Sequence, residues 1–211
     1  MQKEKNVVDF YVLCNTLKNV IRTGWKQWGV SANRIESVAE HIFGTQMLAI
    51  AMHSEFDYDL DMKKILCMLA VHELEEIVIG DLTLFDITKE EKQKLGKQAV
   101  FSVLKNLSNK KFVQELVDEF NLKQTPEAKF AYWCDKLECD LQCKIYDEQN
   151  LVDLTKQKEN KDFLNPKVQE VFVSEKSWSG AWMKFGQMRY EYDENFLKVS
   201  NFAKQNKILK K

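Results

Sequence analysis

Histidine is scarce in this sequence, with three among 211 residues. Glycine and proline are scarce as well, at seven and two. Both prolines follow capping residues, in Thr125-Pro126 and Asn165-Pro166, where proline opens a helix. Nowhere do 18 apolar residues run together, so no membrane-spanning helix is expected. The opening MQKEKNVVDFYVL lacks the apolar run of a signal peptide. Five cysteines, at 14, 67, 134, 139 and 143, form no CxxC pair. Their odd number favours free thiols and a cytoplasmic location. Neither sign of charge dominates: 31 basic against 32 acidic residues leave a net charge of −1. That balance gives no reason to expect a nucleic-acid polymer or a membrane as partner. No Walker-type glycine loop is present to cradle a phosphate.

What the sequence does contain is helical periodicity nearly throughout. It is 45% hydrophobic and 30% charged, enough apolar material for a sizeable core. Val7, Phe10, Tyr11, Cys14, Leu17 and Ile21 recur at spacings of three and four. Ser37-Val-Ala-Glu40 reads as a capping box that opens a helix over 38–55. Asp59 or Asp61 is expected to cap a helix reaching about 78, ended by Gly80. Thr88-Lys-Glu-Glu91 is a second capping box, opening a charged helix to about 107. Shorter pieces fill 109–121, Pro126 opens a helix to about 148, and two more are expected near 166–174 and 179–205. The polar stretch 149–163 is the best candidate for a mobile loop. With no strand alternation, repeat or low-complexity linker, the expectation is one all-α domain over 1–211. Its core spans about 7–150, with a C-terminal helical extension over 151–211.

Two of the histidines sit in apolar helical stretches. On a continuous helix His72 and Glu76 share one face, and Glu73 lies about 100° round from His72. His41 stands near the start of a different helix. Imidazoles and carboxylates suit a divalent transition metal, but a further ligand has to come from elsewhere. The long helix from Pro126 offers Asp135, set among Phe130, Trp133 and Leu137; a buried carboxylate there needs a partner. The simpler alternative is that each histidine is a hydrogen-bonded core residue.

Five segments, in order, raise the first reading. RTGW (22–25), ESVAEH (36–41), LAVHELEEIVIGD (69–81), ITKEEK (87–92) and EAKFAYWCDKLECDLQ (127–142) resemble the HD-domain metal-dependent phosphohydrolases, and within them the 5'-deoxynucleotidases. The resemblance implies an all-α HD-domain bundle. It also implies removal of the 5'-phosphate of a (deoxy)nucleoside monophosphate with one divalent ion, Mn, Co, Mg, Zn or Fe. It places metal ligands at His41, His72, Glu73 and Asp135, catalytic acids at Glu76 and Asp81, and substrate contacts at Arg22 and Trp25, with Arg34 a second candidate for the phosphate. Such an enzyme has a small-molecule nucleotide as its substrate and is expected to be a homodimer. One departure stands out: the family's His-Asp doublet is His72-Glu73 here, which moves the carboxylate outward by about 1.5 Å. Two alternatives therefore stay open, a phosphohydrolase of another small phosphate ester and a non-catalytic nucleotide-binding protein.

Other features have plainer readings. Cys134, Cys139 and Cys143 read as buried thiols, and His53 as a helix-end residue. The acids of EFDYDLD lack the glycine of a calcium loop. The run TKEEKQKLGKQ reads as a solvated face, although the resemblance puts Lys89 or Lys92 near the substrate opening. The aromatic tail, Trp178 to Phe196, reads as core or as a dimer face.

Overall fold

The computed structural model describes residues 1–83, 86–175 and 177–210. In chain order the helices are α1 (Gln2–Asn15), α2 (Thr23–Gln27), α3 (Val38–Glu55), α4 (Met62–Val71), α5 (Glu76–Ile79), α6 (Lys89–Leu104), α7 (Lys110–Leu122), α8 (Pro126–Glu148), α9 (Pro166–Ser174), α10 (Trp178–Arg189) and α11 (Glu194–Gln205). Short 3-10 turns cover Thr16–Lys18 and Leu154–Lys156. Among the described residues the only β-pairing is one antiparallel bridge between Ile21 and Ser37. The fold is all-α, as expected.

The caps explain the boundaries. The Ser37 and Thr88 hydroxyls accept from the backbone N–H groups of Glu40 and Glu91, and both glutamates reach back, closing the two capping boxes. Asp61 caps α4 through Lys64 N–H at 3.1 Å. Thr125 accepts from Ala128 N–H at 3.2 Å at the start of α8, and Asn165 from Lys167 N–H ahead of Pro166.

Two compact units arise. The first comprises Met1–Thr23 and Glu36–Tyr132. Its core includes Leu74, Val100, Val103, Leu104 and Val117, with Phe10, Cys14 and Val71 packed against them. The second comprises Gly24–Ile35 and Trp133–Lys211. It is built on aromatic rings: Trp28 stacks on Phe172 at 6.0 Å and meets Trp178 at 5.5 Å, and Trp133 packs on Phe196. The tail aromatics Trp178 and Phe196 are thus core residues, 1% and 0% exposed.

Four expectations change. The helix drawn through 59–78 stops at Val71, and residues 72–75 form a turn before α5. Bonds there close over three residues, Leu74 N–H to Val71 O and Glu76 N–H to Glu73 O, which is tighter than an α-helix. The helix drawn through 179–205 is two helices. Glu191 adopts a left-handed φ of 50° and Asp193 caps α11 through Phe196 N–H. The stretch 149–163 is pinned rather than loose: Gln157 donates to Trp28 O, Asn160 donates to Gln157, and the Asn160 carbonyl accepts from Asp162 N–H. Those three side chains are buried, so their polar groups need such partners. Finally, the stripe at 7–21 is split, with Leu17 buried while Val7 and Tyr11 are exposed.

Candidate active site

Three donors converge within the first unit. The capping box at Ser37 fixes the start of α3, and His41 follows one turn later, fully buried. Asp61 fixes the start of α4, and the turn that follows its end at Val71 delivers His72 and Glu73. The His72 Nδ1 lies 2.7 Å from the Leu69 carbonyl. A carbonyl only accepts, so Nδ1 carries the proton and the Nε2 lone pair is available to a ligand. Phe120 of α7 packs on the His72 ring at 5.0 Å and restricts its rotation. Glu73 Oε1 lies 3.6 Å from His72 Nε2 and 3.8 Å from His41 Nε2.

These separations suit a metal. Ligand atoms bonded at about 2.1 Å to one ion stand roughly 3–4 Å apart, and two imidazoles with carboxylate oxygen form a donor set for a divalent transition ion. The residues present fit the group. The extra methylene of Glu73 does not carry its carboxylate out of reach of the histidines, since Oε1 stands at similar distances from both Nε2 atoms. The tight turn at 72–75 advances each side chain by about 120° instead of 100°. Glu76 therefore stands above Glu73, rather than one α-turn above His72.

Glu76 is 1% exposed, and its Oε2 makes no hydrogen bond to a described residue. Burial first, then the negative charges of Glu73 and Asp81, push its carboxyl well up; Arg22 and Lys92 oppose them. Asp81 is already engaged. Its carboxylate accepts from Thr23 N–H and lies 3.4 Å from Arg22 Nη1, while its carbonyl accepts from the Thr23 hydroxyl. Arg22 Nη1 also stands 3.8 Å from Glu73 Oε1. Gly80 makes this possible, turning the chain with φ 72° and ψ 175°, a region nearly closed to other residues. Added methyl at Gly80 would meet nothing within 4 Å, so Gly80→Ala is expected to cost about 1–3 kcal/mol through the backbone alone, read as a lower melting temperature.

Glu75 faces α6 and titrates high, at about 7, through burial and then the charge of Glu73, with Lys92 opposing. Its folded value is above its ordinary 4.5. The native state therefore keeps a proton that the unfolded chain has lost, and stability falls as pH rises through that window. The metal-free protein is expected to lose on the order of 3 kcal/mol this way. Glu75→Gln should flatten that slope in denaturant melts run from pH 4.5 to 7.5.

The remaining sequence candidates lie in the second unit. Trp25 is 1% exposed, with Trp182 at 5.2 Å and Tyr146 and Trp178 edge-on. Its ring packs against these protein rings. Arg34 is exposed. Asp135 is buried on α8, with Lys136 Nζ at 2.8 Å; it continues the face that buries Ala128 and Ala131. Thr23 and Lys92 are participants that sequence reasoning missed or left aside. Their signals were the RTGW and ITKEEK segments themselves.

The HD domain pattern matches residues 14–178. The chain belongs to the HD-domain family. This HD domain is 35% identical over 152 residues to the 5'-deoxynucleotidase HDDC2 of Dictyostelium discoideum, covering 68% of this chain and 79% of that protein. It is 30% identical over 147 residues to 5'-deoxynucleotidase HDDC2 of Homo sapiens, covering 68% and 70%. A Pyrococcus horikoshii protein of known crystal structure superposes on the HD domain with a TM-score of 0.64 at 24% identity, covering 94% of this chain and 98% of that one. A predicted metal-dependent phosphohydrolase from Magnetospirillum magnetotacticum gives 0.62 at 18%, covering 97% of each. These two likenesses bear on the fold alone.

Proposed function

We propose that this HD domain is a metal-dependent 5'-deoxynucleotidase that hydrolyses (deoxy)nucleoside 5'-monophosphates to nucleoside and inorganic phosphate. The observation that carries the reading is the convergence of His41, His72 and Glu73 beside the buried Glu76 and the Arg22 guanidinium. The names borne by the relatives supply the substrate class. Asp135, a ligand by the family resemblance, is proposed as the remaining one. Mn, Co, Mg, Zn and Fe are all compatible with two imidazoles and two carboxylates. A bound divalent ion would supply charge neutralisation and acidify water.

The chain's own residues do the rest. Arg22, held by Asp81, pairs with phosphate oxygens. Glu76 takes a proton from the attacking water as the water oxygen bonds to phosphorus. The bond from phosphorus to the 5' oxygen breaks, and that oxygen leaves with the proton that Glu76 took from the water, which returns Glu76 to its starting state. Asp81 acts by holding Arg22 and Thr23. Arg34, exposed and cationic, is proposed as a secondary phosphate contact.

The test is phosphate release from a panel of deoxy- and ribonucleoside monophosphates with each metal in turn. Release from 5'-monophosphates, greatest with deoxy forms, supports the reading. No release above a Glu76→Gln control with any metal removes it, and release only from non-nucleotide esters would favour another small phosphate ester.

We further propose a single HD domain, since the family match runs through both compact units. A cytoplasmic setting is proposed from the five unbridged cysteines; no helix among the described residues is long and apolar enough to cross a membrane. A homodimer is proposed from exposed apolar faces in the first unit. Phe43, Met47 and Ile50 are exposed at helical spacing on α3, as are Val8, Tyr11 and Val12 on α1, and such faces favour association. Light scattering is expected to give twice the 24.8 kDa chain mass, with Phe43→Glu/Met47→Glu reverting to a monomer.

A further inference from the structure

Lys92 is one residue past the Thr88–Glu91 capping box, and its backbone N–H bonds to Thr88 O at 2.9 Å. The box therefore fixes where its side chain leaves α6. Its Nζ donates to the Leu82 carbonyl at 2.8 Å and lies 3.9 Å from Glu76 Oε1. The side chain is 31% exposed, against 1% for Glu76. One ammonium thus touches both the segment that carries Asp81 and the acid proposed as the base. The same segment is closed at its far side by Asp86, whose carboxylate accepts from the Thr83 N–H and hydroxyl.

We propose that Lys92 is a positioning residue: it ties the 80–83 segment to α6 and holds the Glu76 carboxylate in place without bonding to it. The 3.9 Å separation is too long for a hydrogen bond but short enough for charge attraction. A direct charge-assisted bond would favour the ionised carboxylate further and make it a weaker base. The Leu82 carbonyl keeps the ammonium back, so Glu76 gains a nearby cation without such a bond. The tether also fixes Asp81, and through it Arg22 and Thr23.

This inference rests on the nucleotidase reading for its kinetic arm only. Lys92→Met is expected to lower kcat about 10- to 100-fold, with KM within about threefold and bound metal unchanged. Lys92→Arg, which keeps the charge and a donor, is expected to restore most of kcat. Amide hydrogen exchange at residues 80–83 should quicken roughly tenfold in Lys92→Met and recover in Lys92→Arg, with residues 38–55 unaffected in both. Wild-type kcat in Lys92→Met, a loss confined to KM, unchanged exchange at 80–83, or failure of arginine to rescue would each overturn it. Were the wild type to release no phosphate, the nucleotidase reading would fall, and the exchange data alone would decide the tether.

Discussion

Glu76→Gln is expected to lower kcat by about 10²–10⁴-fold, the usual contribution of a positioned base, with KM and bound metal close to wild type. Glutamine has the shape of the glutamic acid but cannot take a proton. Its effect separates chemistry from folding for a physical reason. Burial, Glu73 and Asp81 all disfavour a negative charge at this position, and an amide carries none. An amide there is no worse for the fold, and the melting temperature of the metal-free variant should match or exceed that of wild type. Steady-state kinetics and a melt on one preparation check both halves. Glu75→Gln is the control: one residue earlier, it should leave kcat within a few-fold.

The second large effect belongs to the histidines. His72→Ala removes a donor whose orientation is set by the Leu69 carbonyl and by Phe120, and His41→Ala removes its counterpart from α3. Each is expected to reduce bound metal to below about a tenth of wild type and turnover to background, because a set of four donors that loses one leaves weaker ligands to hold the ion. Plasma emission measurement of metal per chain, beside the phosphate assay, checks this. Stability of the metal-free fold should change far less than activity in His41→Gln, where the amide retains hydrogen-bonding capacity. Glu73→Asp asks whether the turn at 72–75 is matched to the longer acid. It is expected to bind metal more weakly than wild type, since withdrawing the carboxylate lengthens the 3.6 and 3.8 Å spans to the imidazoles.

Much of the architecture was legible because helix starts are chemically explicit. Ser37, Asp61, Thr88 and Asn165 announce themselves by side chains that satisfy open N–H groups, and each begins a helix where expected. Helix interruptions were harder. Nothing in apolar spacing distinguishes an α-turn from the tighter turn at 72–75, since Val71, Leu74 and Ile77 are buried or half-buried under either winding. The break at 190–193 depends on one left-handed residue, Glu191, that is neither glycine nor asparagine. The site shows the same division. His41, His72 and Glu73 were found through their segments rather than through periodicity, which alone allowed a pair of core histidines. The placement of Glu76 over Glu73 needed the turn. The packing of Trp25 against Trp182, Tyr146 and Trp178 has no signal in spacing, because an aromatic looks the same in sequence whatever its ring meets. Asp81 and Lys92 carried no local signature of their bonds to Thr23 and Leu82, which are fifty-odd and ten residues away.

The account depends on four side chains sharing one ion, and a crystal loaded with Mn²⁺ tests that most directly through its anomalous difference map. The prediction is a single strong peak per chain, about 2.0–2.2 Å from Nε2 of His41 and of His72 and from carboxylate oxygens of Glu73 and Asp135. A peak that leaves out either histidine, or the lack of any peak between them at full Mn²⁺ loading, would contradict it.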